Sequence, residues 1–326
     1  MSEAGGGEAG GRGGEAGGGE AGGQNDWPGG GRGGDGDWGP EEPAGFRSGF
    51  VALLGRPNVG KSTLLNRIIG TKVTITASVP HTTRTRVRGV LDRPDAQVVF
   101  LDTPGIHKPK TALGTRLNAT ASHTISDVDL CVFMVEANAA IGPGDRFIAE
   151  RLPTGTIVAV NKTDRANREG ILQHLATAAA DLGIADAEYF PISARTGDGV
   201  PALVEHLVSR LPEGPRYFPP DTVTDVPEAF WVAELVREQL IRHAEEELPH
   251  SIACRVTEWE WPRIRCEIIV ERDSQKGIVI GKGGSVLKAA GIAVRQQLPP
   301  GAYLELFVKV EKSWQRRPEL IERLGY

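Results

Sequence analysis

From residue 50 onward the chain alternates short apolar runs with longer stretches of helical periodicity. The runs at 50–55 (FVALLG), 86–91, 97–102, 129–136, 156–161 and 188–192 are rich in Val, Ile, Leu and Phe, as strands buried on both faces of a sheet are. Helical patterns separate most of them, among them 61–69, 168–182 and 199–211. Strand and helix in turn predict an α/β domain with a doubly wound, mostly parallel sheet. The alternation breaks at 211–220, LPEGPRYFPP, where prolines and a glycine cannot continue either element. Beyond the break come an amphipathic helix over 227–246, with Phe230, Leu235 and Ile241 on its buried side, strands at 251–259 and 263–271, two helical segments around VIGKGGSVLK (279–288), and a strand at 303–310. That order, α-β-β-α-α-β, predicts a separate α+β domain, with Pro262 at a hairpin tip and a short last helix at 318–324 that packs on the domain or lies free.

The pattern assigns residues 47–213 to the first domain and 214–326 to the second, and 40% hydrophobic content in 326 residues supplies a core for each. Residues 1–46 repeat GGEAGG-like units almost without aliphatic side chains, too little apolar surface to offset the entropy of ordering. A disordered tail is expected there, with Trp27 and Trp38 its only anchors. No apolar run reaches the ~18 residues of a membrane span, and the acidic N-terminus resembles neither a signal peptide nor a transit peptide. Cys131, Cys254 and Cys266 lack metal-ligand spacing and read as core thiols of a reducing compartment, so the cytoplasm is the expected location.

The net charge of −5 argues against a nucleic-acid partner until it is divided. Residues 1–46 hold nine acids against Arg12 and Arg32, a charge of −7, which leaves the rest of the chain at +2. Residues 262–326 hold twelve Lys and Arg against seven acids, +5, gathered around the glycine motif. The acidic tail masks a basic end.

GRPNVGKS, at 55–62, fits G-x-x-x-x-G-K-[ST] between an apolar strand and a helix. Glycines at 55 and 60 let backbone N–H groups approach phosphate oxygens at the positive end of a helix. The loop through Asn58, Val59, Gly60 and Thr63 would then line the phosphates, Lys61 would reach the β- and γ-phosphates, and the Ser62 hydroxyl would ligate Mg²⁺. DTPG (102–105) ends another strand, with Asp102 placed to hold the metal's water shell and the Gly105 N–H to face the γ-phosphate. NKTD (161–164) decides the base: an ionised Asp164 only accepts, and guanine alone offers a ring N–H and an exocyclic amine side by side. Asn161 would support the purine's other edge, the Lys162 stem would cover its face, and Ser193 and the Ala194 N–H would sit near the guanine oxygen.

GRPNVGKST, TTR, DTPG, NKTD and SAR, in this order and spacing, resemble a translation-factor-class GTPase, and the chain from about residue 46 onward resembles the bacterial Era GTPases. The stretch at 279–288 fails as a second phosphate loop, because Gly283 stands where a hydroxyl must meet the metal. Gly281-Lys282-Gly283-Gly284, between helical segments, fits the GxxG loop of a KH domain, which clamps about four nucleotides of single-stranded backbone. QKGIVIGKGG, LKAAGIAVR and LFVKVEKSW match the Era pattern as well.

The resemblance implies an α/β P-loop GTPase domain followed by a type II KH domain, hydrolysis of GTP to GDP with Mg²⁺, and binding to single-stranded RNA near the 3′ end of the small-subunit rRNA in 30S biogenesis. It also implies a monomer without DNA binding, in the cytoplasm with peripheral contact at the inner face of the cell membrane. Thr83, rather than Thr82, is expected to reach the metal, and Lys61, Thr83 and Gly105 to act on the reacting phosphate. Ile106 follows DTPG where Ras-like enzymes carry a water-orienting glutamine, and Asn58 matches the asparagine of potassium-activated GTPases, so a K⁺ ion against the phosphates is a further expectation. His81, where the family usually has Gln, and His107 read as exposed loop residues, and Trp259, Trp261 and Trp314 as core or hinge packing rather than base-stacking platforms. Two rivals follow from the residues: a small-metabolite kinase, which has no use for NKTD, and a GTP-binding scaffold that scarcely hydrolyses.

Overall fold

The computed structural model describes residues 42–77, 79, 82–106, 111–243 and 248–326; the tail to residue 41 with Trp27 and Trp38, and the histidines His81 and His107, lie outside the described residues. The first sheet has six strands, β1 (Arg47–Gly55), β2 (Val87–Asp92), β3 (Ala96–Asp102), β4 (Leu130–Glu136), β5 (Ile157–Asn161) and β6 (Glu188–Pro191), in the order β2-β3-β1-β4-β5-β6. Only the β2–β3 pair is antiparallel, because those two strands are joined by a tight turn in which the Arg93 N–H donates to the Ala96 carbonyl. The parallel neighbours need crossovers, supplied by α1 (Lys61–Ile69), α2 (Ala112–Ser126), α3 (Pro143–Ala149) and α4 (Arg168–Leu182), while α5 (Val200–Arg210) follows the last strand.

Alternation along the central strand feeds two cores. Val51 and Leu53 pack with Leu64 and Leu65 of α1 and Leu203 and Leu207 of α5, whereas Ala52 and Leu54 pack with Ala121, Ile148 and Ala178 of α2, α3 and α4. Helix α2 has no clear signature in the sequence: ALGTRLNATASHTIS turns inward only Leu113, Gly114, Leu117, Ala121 and Thr124, a thin stripe in a Thr- and Ala-rich segment. It is started by Thr111, whose side chain accepts from the Gly114 N–H.

The second sheet, β7 (Ala253–Glu260), β8 (Arg263–Val270) and β9 (Tyr303–Val310), pairs antiparallel and then parallel. With α6 (Glu228–His243), the short α7 (Leu248–Ser251), α8 (Asp273–Ile280) and α9 (Ser285–Arg295) it gives the α-β-β-α-α-β order. One face is closed by Trp231 and Leu235 of α6, Val279 of α8 and Ala290 and Val294 of α9 over Ile264, Cys266 and Ile268. By length and composition Asp273–Arg295 would pass for a membrane span, but Gly281, Gly283 and Gly284, all at positive φ, divide it into α8 and α9. The last helix, α10 (Pro318–Arg323), does not lie free: Ile321, Leu324 and Tyr326 join Trp314 in a cluster with Leu113 and Leu117 of α2.

The connection between domains is held along the first one. The Gln97 side chain accepts from the Tyr217 and Phe218 N–H groups and donates to the Phe218 carbonyl, while edge strand β2 engages Val223 and Thr224 through its Val90 N–H and Arg88 carbonyl. Packing also reaches back to Phe46, which is buried beneath the Arg216 guanidinium.

Candidate nucleotide site and nucleic-acid loop

The nucleotide motifs lie at the C-terminal ends of β1, β3 and β5, where open α/β sheets bind ligands. After Gly55 the chain turns through Asn58 (φ 65°) and Gly60 (φ 109°) directly into α1, which has no side-chain cap. Its first N–H groups are therefore open to an anion. Gly60 has no room for a side chain: a Cβ there would lie 2.3 Å from Asn161 Nδ2. Lys61 is buried, and its ammonium donates to the carbonyls of Gly55 (3.1 Å) and Arg56 (3.0 Å). Burial lowers its pKa to about 8, against the pull of the Asp102 carboxylate.

Three hydroxyls converge on Asp102, which is fully buried. Its Oδ2 accepts from Ser62 Oγ at 2.6 Å and from Thr83 and Thr74 Oγ1 at 3.2 Å each, and Ser62 and Thr83 are 2.9 Å apart. Burial raises the Asp102 pKa, opposed by Lys61 and by these hydroxyls. Its Oδ1 has no partner although buried. A hard-oxygen donor set with an orphaned carboxylate oxygen fits Mg²⁺, which commonly keeps waters and takes phosphate oxygens beside a few protein ligands. Thr82 is turned away, its hydroxyl donating to the Val79 carbonyl. Gly105 closes the opposite wall, so near Pro57 that a Cβ would lie 2.7 Å from its nitrogen. Ile106 points into the core, so that position offers no side chain to the phosphates. The pocket so enclosed, about 80 Å³, is lined by Asn58, Gly60, Lys61, Ser62, Thr63, Thr83 and Gly105 among others.

The base-reading motifs meet at the end of β5. Asn161 is buried and joins two loops: its Nδ2 donates to the Val59 carbonyl (2.8 Å) and its Oδ1 accepts the Ala194 N–H (2.9 Å). In this structure, then, the amide expected on the purine edge holds the phosphate loop against the SAR loop. The Asp164 carboxylate accepts from Ser193 Oγ (2.7 Å) and pairs with Arg195 (2.7 Å), and the Ser193 hydrogen bond and Arg195 keep it below the usual carboxylate range. Lys162, at φ 69°, extends to Glu136 at 2.8 Å. Arg67 of α1 braces the same loop from behind, donating to the Ala194 and Arg195 carbonyls.

At the second loop Gly281, Lys282, Gly283 and Gly284 join α8 to α9, with Lys282 exposed. A Cβ on Gly283 or Gly284 would meet nothing within 4 Å, so space for a ligand's backbone is open there. Exposed Ile278 and Ile292 stand on the two flanking helices. Of the tryptophans, Trp314 is fully buried and donates to the Ser251 carbonyl, Trp259 packs on the second core, and Trp261 is exposed beside the hairpin tip.

Between the two sites the second domain grips the segment carrying Thr83. Arg84 is buried, donates to the carbonyls of Ile252 (2.7 Å) and His250 (2.9 Å), and lies over the rings of Trp314 and Tyr326. From α6, Arg237 donates to the Thr82 carbonyl while Glu234 holds its guanidinium, and Glu238 accepts from the Thr76 N–H (3.0 Å) and from Lys72 (2.6 Å). Periodicity predicts one buried face for α6; its polar face is buried as well, against the first domain. Arg67, Arg237 and Glu238 carry no motif, and Arg84, the last residue of TTR, had no role read from it; only positions beside motif residues or on an amphipathic helix hinted at what they do.

The phosphate loop, the Asp102 nook and the NKTD and SAR loops, gathered on one sheet edge, define the first domain as a P-loop GTPase, and the second is a KH module. The family model described as 50S ribosome-binding GTPase matches residues 50–162, and that described as KH domain matches 247–315. GTPase Era of Mycobacterium bovis (strain BCG / Pasteur 1173P2) is 45% identical over 299 residues, spanning 86% of this chain and 99% of its own. GTPase Era of Nostoc sp. PCC 7120 is 46% identical, over 88% and 92%. Two solved structures superpose over 86% of this chain and 99% of theirs: Era with MgGDPNP and nucleotides 1506–1542 of 16S ribosomal RNA, at TM-score 0.82 and 39% identity, and a single-residue variant of Aquifex aeolicus Era with GDP and AlF4⁻, at 0.81 and 38%. The chain belongs to the Era GTPase family.

Proposed function

We propose that this GTPase holds the single-stranded 3′ end of the small-subunit rRNA on its Gly281–Gly284 loop and acts in maturation of the 30S subunit. The observation that carries the reading is the open left-handed glycine loop between α8 and α9, on a chain 39% identical to an Era crystallised with nucleotides 1506–1542 of 16S rRNA. At the other site Lys61 and the N–H groups of the phosphate loop hold the phosphates, Asp164 selects guanine, and Ser62 and Thr83 hold Mg²⁺ with Asp102 behind them. When bound, Mg²⁺ offsets the negative charge that develops on the transferring phosphoryl group. Since Ile106 is buried, main-chain groups around Gly105 would orient the attacking water, and Asn58, which lines the pocket, would hold a K⁺ whose charge stands in for an arginine finger.

The grip of α6 on the segment from Lys72 to Thr83, with Arg84 anchored to the Ile252 and His250 carbonyls, makes the nucleotide state felt in the KH domain. The protein works as a cytoplasmic monomer, and contact with the inner face of the membrane rests on the family resemblance alone, to be tested by liposome flotation. Crosslinking the protein to cellular RNA and sequencing the footprint tests the main reading: reads gathered at the 16S 3′ end support it, and a footprint elsewhere refutes it.

A further inference from the structure

A groove of about 400 Å³ opens between α1, β2 and α5, outside the nucleotide site. Its lining is apolar through Ile68, Leu91, Val200 and Val204 and basic through Arg67 and Arg93, with one carboxylate, Glu205, paired to Arg93. We propose that the chain's own residues 33–42, GGDGDWGPEE, occupy it, with the indole of Trp38 over the apolar floor. Glu42 accepts from the Arg216 N–H (3.3 Å), and the Arg216 guanidinium donates to Asp92 (3.2 Å) and to the Arg93 carbonyl (3.4 Å), so the tail leaves the domain beside a residue that forms the groove wall. Trp38 stands four residues upstream, a reach of ~14 Å for extended chain, with glycine and proline available to turn around the β2–β3 turn.

Charge favours the same occupant. Asp35, Asp37, Glu41 and Glu42 flank the indole with no basic residue among them, and they meet Arg67 and Arg93, the latter already shared with Asp95 and Glu205. An aromatic ring is the part of such a segment with enough apolar surface to hold it. Affinity need not be high, because a short tether keeps the local concentration of the segment near ~1 mM.

The groove bears on the guanine site. Arg67 also braces the Ala194 and Arg195 carbonyls, so an occupant that fixes the Arg67 side chain stiffens the loop carrying Ser193 and Ala194 and slows nucleotide release.

Disulfide trapping in the full-length chain tests this, since Cys131, Cys254 and Cys266 are all buried and the Cys131 thiol is pushed up to about 12. Gly39→Cys is paired with Pro201→Cys, on exposed α5 surface at the groove, and separately with Leu172→Cys on exposed α4 as a control. Binding of one GDP per chain certifies the fold, and Glu205→Cys replaces Pro201→Cys if that variant fails it. The groove pair should close at least ~10-fold faster than the control, as a monomer, and lose that advantage when Trp38→Ala is added. Equal rates, or rates indifferent to Trp38, overturn the proposal, and crosslinked dimers show that a second copy's tail is the occupant instead. Release of a fluorescent GDP should quicken severalfold in Trp38→Ala and stay near wild type in Trp38→Phe; equal release in all three removes the link to the guanine loop.

Discussion

Gly55 and Gly60 in the first glycine loop and Gly283 and Gly284 in the second need glycine for opposite reasons, whereas Gly281, where a Cβ would lie 2.6 Å from Val286, is pressed by the protein as the first pair is. In the first, the protein itself presses on the turn: a side chain at Gly60 would run into Asn161, and one at Gly55 into the Met134 carbonyl. In the second, nothing touches Gly283 or Gly284; what they share with Gly60 is a positive φ, and the open space beside them is left for another molecule's backbone. On the proposed function, one loop is a finished cradle for a small ligand and the other is a platform for a long one. A glycine pattern in sequence states that a backbone must come close, and only the surroundings tell which backbone.

That difference can be broken at either end. Gly60→Ala, strained at φ 109° and colliding with Asn161, should weaken GTP binding by ~1000-fold, about 4 kcal/mol, while single-stranded RNA affinity changes less than about twofold. Fluorescent-nucleotide titration checks it, and GTP binding within tenfold of wild type would mean that the cradle yields. Lys282→Asp with Gly283→Asp should cost ~100-fold in RNA affinity through charge and an occupied phosphate position, with GTP affinity intact. Its melting temperature should fall by only a few degrees, because the added side chains meet no neighbour and cost about 1 kcal/mol at the left-handed position.

The motif residues were legible because their chemistry requires fixed types at strand ends, and the structure brings Ser62, Thr83 and Asp102 into one nook and Asp164 and Ser193 into hydrogen-bond contact. Buried strands and the longer helices were readable too: α1 and α4 have the bounds their periodicity marks. What escaped depends on tertiary context. Helix α2 is held by a thin stripe of small residues, and the second burial of α6 exists only because another domain arrives at its polar side. Arg84, next to Thr83, looks like an exposed switch residue until Trp314 and Tyr326 close over it from 230 or more residues away. Asn161 is similar: its motif names the base, whereas its amide is found tying two loops.

Asp164→Asn sharpens the account of the enclosed site. Converting one acceptor to a donor should shift preference from guanine to xanthine nucleotides by ~10- to 100-fold in a competition assay, and unchanged selectivity would remove Asp164 from base reading. The smallest effect is a proton. Burial lowers the Lys61 pKa to about 8 from its ordinary 10.5, so at pH 8.5 most of the lysine is neutral, and bound phosphates favour the charged form. Binding of GDP at pH 8.5 should therefore take up roughly half a proton or more, and at pH 7, where the lysine is already charged, almost none. Calorimetry in buffers of different ionisation enthalpy reads this directly; equal uptake at both values would show that burial leaves Lys61 unperturbed.

On the proposed function, one chain grips two different phosphate ligands at two separate loops. The most direct test is to titrate a labelled single strand from the 16S rRNA 3′ end into protein saturated with Mg²⁺ and a non-hydrolysable GTP analogue. The account predicts a ternary complex with one nucleotide and one RNA per chain, the RNA lost in the Lys282→Asp, Gly283→Asp variant and the nucleotide retained. Displacement of the analogue by RNA, in proportion to RNA bound, would contradict it.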